Sequence, residues 1–193
     1  MHCTQTLPEN YRELLSIDLQ KDKKTALLVN MAAVGAMVVL ALIGLLLVPF
    51  RTLLDFSQGF GLYFLRLGVL LAGMFAYIVL HELTHAAVMK AYGAKKLRIG
   101  FTGMYAYAGS EADYFAKRPY RHIALAPLVL WALIFGLLSA LVPQEWFWVV
   151  WMLQIANVSG AAGDVFVTLR LLRLPRDLLV RDTGVAMTVY SAE

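Results

Sequence analysis

The residues best placed to do chemistry are His81, Glu82 and His85, in the run Leu80-His81-Glu82-Leu83-Thr84-His85. On a helix, positions i and i+4 project from one face, one turn apart. That spacing suits two imidazole ligands on one Zn²⁺, with Glu82 beside the metal to take a proton from its bound water. The setting adds weight to the pattern. The run lies inside a long apolar stretch, where hydrocarbon normally excludes ionisable side chains. The single cysteine, Cys3, excludes an internal disulfide and a cysteine-rich zinc site, so any zinc ligands must come from His, Asp or Glu.

The elements that must carry these groups follow from composition. Of the 193 residues 60% are hydrophobic and 16% charged, and the mean hydropathy is +0.67. Soluble domains are about 45–50% apolar and about 25% charged. The chain therefore reads as an α-helical integral membrane protein. Its four transmembrane helices fall at about 26–48, 62–90, 120–142 and 145–172, each long enough for a bilayer that needs about 20 residues. A small cytoplasmic β-hairpin or sheet is expected over about 95–110, where Leu97, Ile99 and Phe101 alternate with Arg98 and Gly100, and a second patch surrounds Tyr105 and Tyr107. Shorter alternations at Leu15–Leu19 and Val185–Val189 read as further strands. Gly93 is a helix stop, Glu111 and Asp113 lie in a solvated loop, and Trp146, Trp148 and Trp151 suit an interfacial belt. The polar first 25 residues are unlike a cleavable signal peptide. The whole chain, 1–193, is taken as one domain. The net charge of +4 belongs with membrane headgroups, and no nucleic-acid partner is expected.

Basic residues orient the helices. Arg12, Lys21, Lys23 and Lys24 precede the first, and Arg51 alone lies in the first connection. Seven Lys or Arg fall between Lys90 and Arg121, none in the Pro143 turn, and four follow from Arg170. This alternation predicts a multi-pass protein with both termini cytoplasmic, and puts His81 and His85 near the cytoplasmic end of the second helix. The expected location is the bacterial plasma membrane.

A catalytic zinc needs a third protein ligand. The candidates are Asp164, His122, Glu111, Asp113 and Asn157. His81 is 19 residues past Leu62, and Asp164 is 19 past Glu145; His85 is 5 before Lys90, and Asp164 is 6 before Arg170. At equal rise per residue, counting from either end puts Asp164 level with the histidines. A carboxylate at that depth needs a partner, and a metal is one. Asn157 lies seven residues earlier on roughly the same face, where it could hold a peptide carbonyl or stabilise an oxyanion. His122 is a second-choice ligand or a hydrogen-bond donor to the transition state. The expected site is thus His81, His85 and Asp164 on the metal, with Glu82, Asn157 and His122 as catalytic groups.

The pattern of His81-Glu82-x-x-His85 on one membrane helix, with Asn157 and Gly163-Asp164 on a later one, resembles the small membrane zincin peptidases, a family catalogued as a domain of unknown function. That family is distantly similar to the site-2 intramembrane metalloproteases. The resemblance runs from Leu7-Pro8-Glu9-Asn10-Tyr11 to the closing strand, and it implies Zn²⁺ on His81, His85 and Asp164 with Glu82 as base. Two elements differ from the site-2 proteases. Their Leu-Asp-Gly is here Gly163-Asp164-Val165, and their Asn-x-x-Pro-Gly has no proline here. The expected function is a zinc-dependent membrane-embedded endopeptidase. It would cleave membrane or membrane-proximal proteins or peptides through a metal-activated water, with the substrate laid along the Leu97–Tyr107 segment as an added strand. The alternative is a zinc-binding membrane protein that senses or assembles without cleaving. A small transporter using the buried polar cluster ranks last, since no inverted repeat is visible.

Overall fold

The structure is a computed structural model that describes residues 2–101, 103 and 106–192. Its elements in chain order are β1 (Cys3–Thr4), β2 (Tyr11–Asp18), α1 (Lys23–Leu47), α2 (Phe60–Ala91), β3 (Arg98–Phe101), β4 (Ala106–Gly109), β5 (Tyr114–Ala116), α3 (Lys117–Leu141), α4 (Gln144–Gly160), α5 (Ala162–Leu172), β6 (Leu178–Asp182) and β7 (Ala186–Ala192). The expected helices and the hairpin are present within a few residues of their anticipated bounds. Tyr105, part of the second alternating patch, lies outside the described residues.

Local chemistry explains the helix ends. Asp22 caps α1, its Oδ1 accepting from the amides of Lys24 and Thr25, both at 3.1 Å. Gly93 stops α2 as anticipated. It takes φ +97°, its amide donates to the Lys90 carbonyl, and the Ala94 amide reaches back to Met89 at 3.1 Å. That is a Schellman closure, sealed by burial of Ala94 and Met89 in one core. The expected fourth helix is divided. Ala161 has φ −78° and ψ 7°, which ends α4, and α5 starts afresh at Ala162. The break falls between Gly160 and Gly163, residues of poor helix propensity.

Four stretches are long and apolar enough to cross a membrane: Lys23–Leu47, Phe60–Ala91, Lys117–Leu141 and Gln144–Leu172. Their outward faces are strongly apolar. Leu46 is 86% exposed, Phe75 73% and Leu133 69%. Apolar surface on this scale needs a non-aqueous contact.

The chain forms two compact units. The first holds Met1–Val29, Val79–Pro127 and Gly163–Glu193. Its centre is a five-stranded antiparallel sheet in the order β1-β5-β6-β7-β2, which joins the start, middle and end of the chain. Phe115, Leu178, Val180, Met187 and Val189 on the sheet pack with Met89 of α2, Tyr120, Ile123 and Ala124 of α3, and Leu171 of α5. This core fixes those helix segments to one another, and they carry the candidate site. The β3–β4 hairpin is a separate two-stranded sheet. It is held to the β6–β7 turn by the Ser110 amide, which donates to the Asp182 carbonyl at 2.6 Å, and by Gly109, where a Cβ would lie 2.2 Å from the Thr183 backbone. Asp113 corrects the expectation of a solvated loop. It is fully buried, and its carboxylate accepts from Ser110 Oγ, Gln5 Nε2 and the Lys95 and Lys96 amides. Burial raises its pKa, but these donors together outweigh burial and hold the carboxyl below the usual carboxylate range.

The second unit holds Asn30–Ile78 and Leu128–Ala162. Two of the three tryptophans expected in an interfacial belt lie inside the protein. Trp148 and Trp151 are buried with Phe147 and Val48, and their indole N–H groups donate to the carbonyls of Pro49 and Leu40. Gly44 makes room for them, since a Cβ there would lie 2.4 Å from Trp151 Nε1. Arg66 of α2 is 1% exposed and donates to the Thr52 carbonyl and to Gln58 Oε1, tying down the connection between α1 and α2.

Candidate metal centre

Helix α2 supplies His81, Glu82 and His85, and α5 supplies Asp164 from its first turn. The two imidazole rings stand edge to face with centroids 5.0 Å apart. Asp164 Oδ2 lies 3.5 Å from His81 Nε2 and 3.6 Å from His85 Nε2. One ligand atom from each residue falls within 4.8 Å of the others. Around a tetrahedral zinc with bonds of 2.0–2.2 Å, neighbouring ligand atoms are separated by roughly 3.4 Å. The two His–Asp distances match such edges, and the His₂Asp donor set suits zinc.

The tautomer of His85 is set by the protein. Its Nδ1–H donates to the Ile123 carbonyl at 2.9 Å, leaving the Nε2 lone pair toward Asp164 and the metal position. That carbonyl is free for a reason written in the sequence. In a regular helix it would accept the amide of residue 127, four residues on. Residue 127 is proline, buried inside α3 and without an N–H. The proline of one helix thus releases the group that orients a ligand on another.

Asp164 gains from its own place. As the third residue of α5 it sits at the positive end of the helix dipole, where a carboxylate is favoured. Its side chain is 25% exposed, while those of His81 and His85 are 12% and 11% exposed, so the cluster is sheltered but reachable. Glu82 follows His81 directly, and the Ala108 backbone on β4 lies near its carboxylate.

The structure gives the remaining expected groups other partners. Asn157 is fully buried in the second unit, where its Oδ1 accepts from Tyr77 Oη at 2.9 Å and its Nδ2 donates to the Leu128 carbonyl at 3.1 Å. This is an interhelical clasp with both ends of the amide engaged. His122 is exposed and bonds through Nδ1 to Tyr92 Oη at 2.5 Å. Glu111 pairs with Arg98 at the surface.

Two groups in the same unit escaped sequence reasoning. Tyr120 Oη donates to Asp182 Oδ2 at 2.5 Å, and the Gly184 amide donates to Oδ1 at 2.7 Å. Burial pushes the Asp182 carboxyl up against the pull of these donors. The pairing joins α3 to a strand 62 residues later, and no local pattern marks it. The freed Ile123 carbonyl, by contrast, had a signal: a proline inside an apolar helix.

An uncharacterized 24.7 kDa protein in gap 5'region of Pyrococcus woesei is 32% identical over 115 residues, covering 57% of this chain and 49% of that protein. The chain thus spans about half the length of this relative. No solved structure matches it. The profile of the family described as "Putative zincin peptidase" matches residues 74–179, which takes in both histidines, Glu82 and Asp164. With more than half its length inside that match, the chain belongs to this zincin peptidase family.

Proposed function

We propose that the protein is a zinc-dependent, membrane-embedded endopeptidase acting on membrane or membrane-proximal proteins. The observation that carries this reading is the convergence of His81, His85 and Asp164, with Glu82 next to the first of them. His81, His85 and Asp164 would hold the ion. Zinc bound there supplies Lewis acidity and makes a water acidic near neutral pH. Glu82 accepts the proton of the attacking water and returns it to the departing amine, so that the carboxylate is regenerated at the end of the cycle. The hydrogen bond from His85 to Ile123 keeps that ring from swinging away. Asn157 and His122 already carry hydrogen bonds, so the proposal assigns the proton work to Glu82.

A peptide inside a helix conceals its carbonyls, so the substrate must be locally extended. The hairpin suits that requirement. Ala108 of β4 lies near Glu82, and a strand added along Ala106–Ala108 would pass the carboxylate. The topology read from the basic residues places this machinery near the cytoplasmic face, with both termini on that side.

The test is Glu82→Gln. Purified protein should keep its zinc and lose at least about 100-fold in cleavage of a membrane-protein library, the scale of a lost general base. Cleavage at the wild-type rate would refute the mechanism. A variant that keeps zinc and its cellular role would instead favour the non-proteolytic zinc protein.

A further inference from the structure

A cavity of about 700 Å³ in the first unit is lined by His2, Lys117, Arg118, Arg121, His122 and Arg176, among others. It is separate in composition from the His81–His85–Asp164 cluster and uses none of those residues. Four fixed cations surround it, and among the described residues that line it there is no Asp or Glu. The walls are built. Lys117 is 9% exposed, and its Nζ donates to the Leu174 and Pro175 carbonyls at 2.7 and 3.2 Å, joining the start of α3 to the end of α5. Arg121 has a buried Nε with no hydrogen-bond partner. His122 is fixed by Tyr92, the residue just past α2. The charges of Arg121 and Arg176 reach Lys117, so the group repels itself. The pocket therefore lacks the negative charge that would balance it.

We propose that this cavity binds a phosphate group, the anion whose oxygens best satisfy clustered guanidinium donors. Its position selects a source. Tyr92 follows α2, Lys117 opens α3 and Leu172 closes α5, and all three helices end at stretches apolar enough to span a membrane. Taken as membrane spans, they place the pocket at the level of lipid headgroups, where anionic phospholipids gather against basic residues. A soluble phosphate compound offers the same chemistry and is separated by experiment.

The full chain is reconstituted in nanodiscs of phosphatidylcholine alone or with phosphatidylglycerol, and separately titrated with inorganic phosphate in the phosphatidylcholine discs. Thermal melting is read against each variant's own baseline, and native mass spectrometry counts retained lipid. Arg118 and Arg176 are exposed, so the double variant Arg118→Gln/Arg176→Gln keeps its fold. Arg173→Gln, an exposed basic residue outside the lining, controls for bulk charge. The expected result is that phosphatidylglycerol stabilises the wild type and Arg173→Gln with one retained lipid. The double variant should bind at least about 100-fold more weakly, at least about tenfold for each charge-assisted hydrogen bond to the phosphate that is lost. A response to inorganic phosphate alone, lost in the double variant, supports the site with a soluble ligand as its source. Equal responses from wild type, double variant and control, or no response to either probe, overturn the proposal.

Discussion

Replacing Pro127 with alanine should make the protein more stable and a poorer zinc binder. The Ile123 carbonyl accepts His85 Nδ1–H because residue 127 has no amide proton to offer. Alanine restores that donor, four residues on in the same helix. Proline inside a helix is about 3 kcal/mol less favourable than alanine. Its buried ring carries about two more methylene equivalents than an alanine methyl, a loss of about 1.6 kcal/mol of apolar burial. The net expectation is a metal-free protein stabilised by roughly 1 kcal/mol. The ligand side moves the other way. Losing the partner of a zinc-bound histidine costs about 10–100-fold in affinity. A carbonyl has two lone pairs and can accept both donors in part, which points to the lower end, about tenfold or ~1.4 kcal/mol. The assay is zinc competition against a chromophoric chelator in detergent, with a thermal melt of the metal-free sample from the same preparation. A raised melting temperature with wild-type zinc affinity would refute the idea that the proline frees a carbonyl for His85.

The other predictions rest on single contacts. Zinc content by elemental analysis should fall from one per chain to near zero in His81→Ala and in Asp164→Ala; unchanged zinc in the latter would remove the third ligand. Gly109→Ala would put a Cβ 2.2 Å from the Thr183 backbone, which cannot yield as a side chain would. It should destabilise by about 1–3 kcal/mol and loosen the hairpin from the β6–β7 turn, seen as faster amide exchange at Ser110. Asp113 has a depressed folded pKa, so its stabilisation is present above its unfolded value near 3.9 and is lost as pH falls through the folded value. Asp113→Asn should therefore melt below wild type at neutral pH, by an amount on the order of 2 kcal/mol. That gap should close in acid, and a gap constant from neutral to strongly acidic pH would contradict the assignment.

Much of the site was legible because its information is local or nearly so. His81, Glu82 and His85 share one helix turn, and helical rise alone placed Asp164 at their depth. The hairpin showed itself through alternation at Leu97–Phe101. What could not be read was the pairing of distant segments. β1 and β5 are two and three residues long, too short to carry a period, and they form only because Cys3 and Thr4 find Phe115 and Tyr114 more than a hundred residues away. Asp113 looked like a loop acid because its donors are two backbone amides, a serine, a glutamine and the Cys3 thiol, none of them a charge that sequence could match to it. Trp148 and Trp151 looked like headgroup anchors because an indole at a helix start suits an interface equally well. Only the notch at Gly44 and the carbonyls of Pro49 and Leu40 show that these two indoles pack into the protein.

The candidate centre depends on two departures from regular helix, and each has a distinct physical use. A continuous helix through Ala161 would leave Asp164 in mid-helix, where all backbone amides are spent on the preceding turn. Ending α4 at Ala161 and restarting at Ala162 makes the same residue a first-turn acid, near the positive dipole end. On α3, Pro127 leaves a carbonyl free to accept. That acceptor fixes the His85 tautomer and ring orientation, with Nε2 toward the metal position, while the dipole end favours the Asp164 carboxylate. The two backbone faults therefore orient one ligand and favour the charge of the other before any ion arrives. Filling them, by Pro127→Ala or by strengthening the helix across Gly160–Gly163, should weaken metal binding while leaving every ligand in the sequence.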